Sequence, residues 1–365
     1  MQRRTLLRAA IAAPGLGLLP QAARAQAAFA PMPGNWRVFR TVTRVQIAAA
    51  NAPTQAWVPV PAVNEAGWFH SYGSTWTSNA AKVGLWRDPA YGVELVHAVW
   101  AEGEAAPVLE VTSSFAARDR AVDLSVPTGA PALGAAERKL YTAATQLIPT
   151  DGIVRETAAQ IVKGHASDLD KARAIYDWIV ENTFRDPKTR GCGIGDVSAM
   201  LKLGNLGGKC ADVNALYVGL ARAVGLPARD IYGLRVAPSR FGYKSLGAGS
   251  AVVTKAQHCR AEVHLAGFGW VPVDPADVRK VALEEPPGNL AMTDAKVTAA
   301  RKALFGSWET NWLAYNMGHD VALPGAKEPP IGFLMYPQAE VAGRLIDSLD
   351  PDGFKYTITA TELPA

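Results

Sequence analysis

The first third of the chain alternates hydrophobic and polar positions with a period of two. The clearest example runs from residue 38 to residue 47. One of its faces consists of Phe39, Thr41, Thr43, Val45 and Ile47. This period is typical of a β-strand with one buried face. Further apolar runs follow at 56–60, 92–100 and 108–112. Short strands at this spacing, separated by turns rich in Gly, Asn, Pro and Asp, predict an antiparallel β-sandwich over residues 35–125.

The periodicity changes near residue 150, where apolar positions begin to recur every three to four residues. Asp168 is predicted to cap one helix. The apolar face of this helix consists of Ala172, Ile175, Tyr176 and Ile179. A second helix is predicted to begin at Cys210 and to end before Gly225, with Pro227 preventing its continuation. Its buried stripe consists of Val213, Leu216, Tyr217, Leu220 and Val224.

Three strands are predicted after these helices. They cover residues 230–236, 259–265 and 270–274. The last two are joined by a glycine-rich segment at 266–269, which is typical of a hairpin turn. Helices followed by an antiparallel sheet predict an α+β fold class for this part of the chain. The pattern divides the chain into a sandwich at 35–125, a linker at 126–149, an α+β core at 150–285 and a C-terminal extension at 286–365 that returns to the core.

The first 27 residues have the pattern of an export signal. A positively charged start is followed by a short apolar run at 9–19 and by the small-x-small sequence Ala23-Arg24-Ala25. The pair Arg3-Arg4 before two leucines resembles a twin-arginine signal. The predicted location is therefore the periplasm or the outside of the cell. No apolar run reaches the ~18 residues that a membrane-spanning helix needs, so the mature chain is predicted to have no membrane span.

Composition excludes several classes of function. The chain has 365 residues, 49% of them hydrophobic and 19% charged, as expected of a globular protein. Its formal charge of +4 comes from the four arginines of the predicted signal, because the rest of the chain balances 33 basic against 33 acidic residues. A mature chain without net charge, and without basic runs interleaved with aromatic residues, predicts no nucleic-acid partner.

Cysteine and histidine positions predict no metal and no cofactor. Three cysteines are too few for a disulfide scaffold or for a four-cysteine zinc site. The histidines at 70, 97, 165 and 319 show no metal-ligand spacing. Outside the cytoplasm Cys192 and Cys259 could form a disulfide, and both could equally be small buried residues.

Cys210 is the first candidate for chemistry. It follows Gly207-Gly208-Lys209 and opens the second predicted helix. A thiol at a helix N-terminus is exposed to the positive end of the helix dipole, which lowers its pKa. By position alone, a small buried apolar role is an equal alternative. A phosphate-binding loop is excluded, since Leu203 occupies its first glycine position and Cys210 its final Ser/Thr position.

A nucleophilic thiolate needs an imidazole partner and a carboxylate that orients the imidazole. The predicted hairpin offers His258, His264 and Asp274. If the loop between its strands has an odd number of residues, Asp274 lies opposite Arg260. His258 is then the diagonal neighbour of Asp274 on the same face, within reach of a hydrogen bond. An even loop would place His258 on the other face, so we predict the odd register and the pair His258–Asp274.

Three separated segments resemble the core of the transglutaminase-like superfamily. The first has Gly208-Lys209-Cys210 at a helix start and Gly225-Leu226-Pro227-Ala228-Arg229 at its end. The second is His258-Cys259-Arg260-Ala261-Glu262. The third is Gly267-Phe268-Gly269-Trp270-Val271-Pro272-Val273-Asp274-Pro275. The resemblance covers residues 150–285 and implies a papain-like fold, in which a cysteine-bearing helix packs on an antiparallel sheet that carries His and Asp.

The resemblance also implies catalytic roles. It makes Cys210 the nucleophile, His258 the general base and acid, and Asp274 the residue that orients the imidazole. Arg260 departs from the family pattern, which has an aromatic residue two positions after the histidine. This departure predicts a more polar substrate pocket that favours an acidic group.

Two further residues are weaker candidates for the site. Asp212 is a possible substrate contact, although a carboxylate in the first turn of a helix is also favoured by the helix dipole. Asn205 could donate to an oxyanion together with the Cys210 amide. A turn role for Gly204-Asn205 is the alternative for that residue.

The predicted function is hydrolysis of amide bonds in a protein or peptide substrate, through a Cys-His-Asp triad and an acyl-enzyme. The resemblance favours a peptidase or amidase, because bacterial relatives are more often hydrolytic than cross-linking. A protein cross-linking transglutaminase, with an amine in place of water, is the first alternative. A non-catalytic binding module of the same fold is the second. The sequence does not predict the oligomeric state.

Overall fold

A computed structural model describes residues 29–48 and 51–364 of the chain. The predicted export signal at residues 1–27 lies outside the described residues. The strands are β1 (Arg37–Gln46), β2 (Thr54–Val60), β3 (Phe69–Ser78), β4 (Lys82–Arg87), β5 (Glu94–Trp100), β6 (Val108–Ala117), β7 (Arg120–Ala121), β8 (Phe184–Arg185), β9 (Gly207–Gly208), β10 (Ala228–Arg235), β11 (Gln257–Leu265), β12 (Gly269–Val273), β13 (Ser307–Trp308), β14 (Trp312–Asn316), β15 (Gln338–Val341), β16 (Arg344–Leu345) and β17 (Lys355–Leu363). The helices are α1 (Ala135–Thr142), α2 (Gly152–Ile161), α3 (Asp168–Asn182), α4 (Val197–Leu203), α5 (Cys210–Ala223), α6 (Pro275–Glu284) and α7 (Ala295–Ala303).

The N-terminal strands form two antiparallel sheets that pack face to face. One sheet has the strand order β17-β1-β6-β3 and the other has the order β16-β15-β2-β5-β4. Val45 and Leu109 of the first sheet share a buried cluster with Val58 and Val96 of the second. The alternation of buried and exposed positions along β1 follows the period of two seen in the sequence. This arrangement confirms the predicted antiparallel sandwich.

A third sheet, in the order β12-β11-β10-β14, carries the candidate site. Helix α5 packs against β10 and β11 on one side and against α2, α3 and α6 on the others. Every residue of α5 from Cys210 to Arg222 is buried, as expected of a helix that is surrounded by other elements. The mixture of helices and antiparallel strands confirms the α+β fold class.

The helix boundaries agree with the sequence pattern except at one cap. The predicted face of α3 is buried at all four positions. Its N-cap is Ser167, whose side chain accepts from the Asp170 amide at 3.0 Å, so the prediction that Asp168 is the cap was wrong by one residue. At the end of α5, Gly225 has a φ of +83°, the left-handed conformation that glycine adopts most easily.

The C-terminal strands pair differently from the prediction that residues 286–365 return to the core. Only part of this segment does so: β14 joins the third sheet beside β10. By contrast, β15 pairs with β2, and β17 pairs with β1 along its whole length, from Val38 opposite Leu363 to Gln46 opposite Lys355. The end of the chain therefore completes the sandwich, where β1 and β2 would otherwise expose unpaired backbone groups.

The segment 126–149 contains more structure than a linker. It includes α1, and Tyr141 of this helix is buried against Trp270 with ring centroids 5.1 Å apart. Just before this segment, β7 pairs with β13. These contacts tie the sandwich to the third sheet, and Phe39 and Phe115 of the sandwich belong to the same buried cluster as α5.

Candidate active site

Cys210 is the first residue of α5 and is 4% exposed. Residue 209 precedes the helix in an extended conformation, so the backbone turns sharply at the thiol. Backbone N–H groups of a first helical turn have no acceptor within the helix, and they create a positive potential at this point. The position therefore stabilises negative charge on the sulfur and on any oxyanion that forms beside it.

His258 and Asp274 lie next to each other at the end of the third sheet. Leu265 pairs with Gly269 and Ala261 pairs with Val273, so the hairpin has a three-residue loop and the odd register. This confirms the register predicted from strand parity. His258 Nε2 lies 2.8 Å from Asp274 Oδ2, and both side chains are buried. Since Nε2 faces the carboxylate, the hydrogen bond that His258 makes with Cys210 is assigned to the other ring nitrogen, Nδ1.

A cleft of about 820 Å³ opens over these residues. Cys210 and His258 both line it, whereas Asp274 lies behind the imidazole. Its walls come from the loop around Gly191, from the segment 247–257, and from β17 of the sandwich. The cleft thus lies between the third sheet and the strands contributed by the chain terminus.

Comparisons with known proteins place this site in a family. A family model of the transglutaminase-like superfamily matches residues 155–275. An uncharacterized protein of Haemophilus influenzae is 38% identical over 324 residues, which is 85% of this chain and 86% of that protein. The chain belongs to the transglutaminase-like superfamily.

Two solved structures are similar to this chain, and the first of them shares its overall fold. A candidate cysteine protease from Cytophaga hutchinsonii matches with a TM-score of 0.58 at 13% identity, over 92% of this chain and 93% of that chain. The match extends over the sandwich as well as the transglutaminase-like core. The periplasmic domain of TgpA from Pseudomonas aeruginosa matches with a TM-score of 0.33 at 16% identity, over 67% of this chain and 88% of that chain.

The surroundings of Cys210 and His258 favour an ion pair in the transglutaminase-like core. Hydrogen bonds from Cys192 and Cys259 hold the pKa of Cys210 well below its usual value, and they are helped by a hydrogen bond and the positive charge of His258. Burial and Arg235 lower the pKa of His258. The carboxylates of Asp277 and Asp274 outweigh both effects and raise it to about 9. Thiolate and imidazolium therefore coexist between the two pKa values.

Asp277 is a site residue that the sequence analysis missed. Both of its carboxylate oxygens accept hydrogen bonds from Arg235 Nη2, at 2.6 and 2.7 Å, and Oδ2 lies 3.4 Å from His258 Nε2. Its amide donates to Asp274 Oδ1 at 3.0 Å, which makes Asp274 the N-cap of α6 and Asp277 its N3 residue. An acidic residue three positions after a capping Asp was the signal that could have revealed it.

Among the described residues, one group of side chains could serve as ligands to a single metal ion. It consists of His258, Asp274 and Asp277. Their present partners argue against that use. Arg235 occupies both oxygens of Asp277, and Asp274 holds the imidazole nitrogen that a metal would need. A cation here would have to displace a buried guanidinium, so the geometry favours an ion-pair network.

The three cysteines lie around one point and none is in a disulfide. The pairing of Cys192 with Cys259, which the sequence left open, is therefore not formed. Cys192 Sγ lies 3.3 Å from the Gln257 carbonyl, and its own carbonyl accepts from the Ala211 amide at 2.9 Å. The hydrogen bond with Cys210, together with burial, raises the pKa of Cys192. Burial, together with the hydrogen bond to Cys210, raises the pKa of Cys259, so both thiols stay neutral beside the Cys210 thiolate.

We expect the substitution Cys192→Ala to raise the pKa of Cys210. The variant removes the hydrogen bond that lowers this pKa most. Because hydrogen bonding to a charged form favours that form, the shift should be on the order of one pH unit. The rate of Cys210 alkylation by iodoacetamide, measured from pH 4 to pH 9, reports the shift directly. An unchanged profile would show that Cys192 does not stabilise the thiolate.

The side chains of Asp212 and Asn205 accept hydrogen bonds from nearby backbone amides and do not take the predicted roles in the site. Asp212 Oδ2 accepts from the Lys209 amide at 3.0 Å, and its Oδ1 accepts from the amides of residues 194 and 195 at 3.0 and 2.9 Å. A Cβ at Gly193 would lie 1.8 Å from Asp212 Oδ2, so this close approach requires glycine. Asn205 is exposed, does not line the cleft, and accepts from the Gly207 amide at 3.1 Å within a turn.

The prediction that Arg260 shapes the substrate pocket is corrected by the structure. Arg260 is 2% exposed and lies behind Asp274, with Nε 3.5 Å from Asp274 Oδ2. Its guanidinium covers the Trp312 ring at 4.8 Å and donates to the Glu309 carbonyl at 2.9 Å. It is not among the residues that line the cleft. The residue therefore supports the carboxylate from inside the fold and cannot touch a substrate.

Proposed function

We propose that this protein is an exported thiol hydrolase that cleaves amide bonds in peptides or proteins. The observation that carries the proposal is the arrangement of three groups: a thiol at a helix N-terminus and an imidazole, which both line the cleft, and a buried carboxylate behind the imidazole. The 2.8 Å contact between His258 and Asp274 fixes the imidazole, and the low pKa of Cys210 provides the nucleophile. A non-catalytic module of this fold would have no need for such an activated thiol.

In the proposed mechanism, the Cys210 thiolate attacks the carbonyl carbon of the scissile amide and a C–S bond forms. The resulting oxyanion lies at the start of α5, where the Cys210 amide can donate to it. His258 gives its Nδ1 proton to the nitrogen as the C–N bond breaks, so the amine leaves neutral and a thioester remains. Asp274 holds the imidazole in place through both steps.

Water completes the proposed cycle. Neutral His258 takes a proton from the water as its oxygen attacks the thioester carbonyl. The C–S bond then breaks, the acid product leaves, and the thiolate–imidazolium pair is restored. An amine that entered in place of water would give a transferase product by the same steps. Hydrolysis and transfer therefore share the same steps and differ only in the product that is released.

The test is incubation of the chain without residues 1–27 with casein and a fluorescent primary amine. We expect new N-termini to accumulate without incorporation of the amine, and neither product to form with Cys210→Ala. Incorporation of the amine as the main product would make the protein a transferase. The absence of both products across a panel of proteins and peptides would favour the non-catalytic module.

The proposal predicts a high upper pH limit for activity. His258 must be protonated when it meets the leaving nitrogen, and its pKa is about 9, so kcat/KM should fall above about pH 9. Asp277→Asn removes a carboxylate that raises this pKa, and the upper limb should move down by at least about one pH unit. The exposed Asp151, whose side chain makes no cap hydrogen bond, offers Asp151→Asn as the control with an unchanged profile. If kcat/KM of Asp277→Asn falls at the same pH as in the parent, the role assigned to this carboxylate is contradicted.

Export is the second part of the proposal. It rests on the sequence of residues 1–27. None of the described helices is both long and apolar enough to span a membrane. We expect Arg3→Lys combined with Arg4→Lys to leave the precursor uncleaved inside the cell. Normal processing of this variant would contradict a twin-arginine route.

A further inference from the structure

The cleft that contains Cys210 is lined by cations. Besides Arg235, which Asp277 neutralises, its lining includes Arg185, Arg190, Lys209, Lys255, Lys280 and Lys355. None of the described residues that line it is Asp or Glu. This concentration of charge contrasts with the mature chain, in which acidic and basic residues are equal in number.

Carboxylates behind the cleft neutralise only part of this charge. Arg185 and Lys280 share a single carboxylate, that of Glu284, and Arg190 pairs with the exposed Asp347. Lys209, Lys255 and Lys355 have no carboxylate within ion-pair distance in the parts of the chain that the structure describes. The lining therefore carries a net positive charge, because these three lysines have no paired carboxylate among the described residues.

The environment of Lys280 is consistent with this positive field. Burial and the neighbouring charge of Arg235 lower its pKa to about 8, with a smaller contribution from Arg185. The protonated form of a lysine with a lowered pKa is stabilised when an anion binds beside it. The low-dielectric walls of a cleft also strengthen its attraction for anions in solution.

The cations flank the reactive sulfur on several sides. Lys209 directly precedes Cys210 on the chain, and Lys255 precedes His258 by three residues. Lys355 belongs to β17 and reaches the cleft from the sandwich. A peptide lying across Cys210 would thus meet positive charge on both the side of the third sheet and the side of the sandwich.

We infer that the substrates of this cleft are acidic peptides, with Asp, Glu or terminal carboxylates on both sides of the cleaved bond. This inference rests on the proposed function for the reaction, and it adds the chemical class of the substrate. Carboxylates on the peptide would pair with the three unpartnered lysines and would position the scissile carbonyl over Cys210. Peptides with lysine or arginine in the same places would be repelled.

Binding to the Cys210→Ala variant tests the inference without requiring turnover. The probes are two fluorescein-labelled octapeptides that differ only in carrying four Glu or four Gln residues. At about 25 mM salt we expect the Glu peptide to bind at least about tenfold more tightly, and this preference should shrink at about 300 mM salt because exposed charges are screened. Equal affinity for the two peptides would overturn the inference.

Charge-reversal variants locate the binding surface. Lys255→Glu and Lys355→Glu, each in the Cys210→Ala background, should weaken binding of the Glu peptide by about 3- to 10-fold. Lys163→Glu is the matched control, because Lys163 is exposed and lies outside the cleft lining. Equal weakening by all three substitutions would show that only the overall charge matters and would overturn the assignment to the cleft.

Turnover by the chain with Cys210 intact separates this inference from the proposed function. If neutral and acidic peptides are cleaved with the same kcat/KM, the hydrolase proposal stands and the substrate class is wrong. If the Glu peptide binds preferentially to the cleft but no peptide is cleaved, the substrate-charge inference stands and the hydrolase proposal fails.

Discussion

Replacing Cys210 with alanine is expected to lower kcat/KM for peptide hydrolysis by at least about 10⁴-fold, because the covalent route is lost entirely. The side chain that is removed is small and buried at the start of α5, and alanine is favoured in helices, so the fold should be kept. The measurement is the rate of new N-terminus formation from a cleaved peptide. Circular dichroism of the same sample shows whether α5 and the sheets are intact.

Cys192→Ala is the matched control for this loss. It removes another buried thiol from the same cluster but leaves Cys210, His258 and Asp274 in place. At pH 8.5, where even an ordinary cysteine is about half ionised, its turnover should remain within about tenfold of the parent. A Cys210→Ala variant that kept more than a hundredth of the turnover would rule out the thiol as nucleophile.

Glu262→Gln is expected to lower the free energy of unfolding by about 3–5 kcal/mol, the usual cost of breaking a buried ion pair by removing one partner. Glu262 is fully buried on β11 and makes ion pairs with two arginines. Arg229 Nε donates to its Oε2 at 2.6 Å, and Arg120 of β7 pairs with its Oε1. A neutral amide would leave both guanidinium groups buried without their shared charge. Urea unfolding followed by tryptophan fluorescence measures the loss.

Glu110→Gln is the control for that prediction. Glu110 pairs with Arg44 at 3.1 Å on the surface, where both side chains are more than a third exposed. A solvent-exposed pair contributes ~0–1 kcal/mol, so this variant should unfold almost like the parent. Similar losses in Glu262→Gln and Glu110→Gln would show that the buried ion pairs of Glu262 stabilise the fold no more than a surface pair does.

The pairing of His258 with Asp274 could be predicted because it depends on local geometry. The parity of the loop at residues 266–268 decides which face of the sheet each residue occupies, and the hairpin has the predicted odd register. The two ends of α5 could also be predicted from local signals. Glycines precede Cys210 at its start, and Gly225 follows its end. These features require no knowledge of distant parts of the chain.

Other features depend on contacts between distant segments. Strand parity placed Arg260 on the face of His258 but could not show that Trp308 and Trp312 cover it there. Likewise, β17 pairs with β1 more than three hundred positions away, and no local signal specifies that partner. The cationic cleft could not be predicted from the sequence for the same reason, because its lysines come from segments that only the fold brings together.

The pH dependence of Cys210 alkylation tests the central claim most directly, because it requires no substrate. Iodoacetamide reacts with thiolates, and peptide mapping assigns the label to Cys210 rather than to Cys192 or Cys259. Since the pKa of Cys210 lies well below its usual value, the rate should stay nearly constant from pH 8 down to about pH 6. A rate that falls about tenfold per pH unit below pH 8, as for an ordinary thiol, would contradict the thiolate–imidazolium pair and the mechanism built on it.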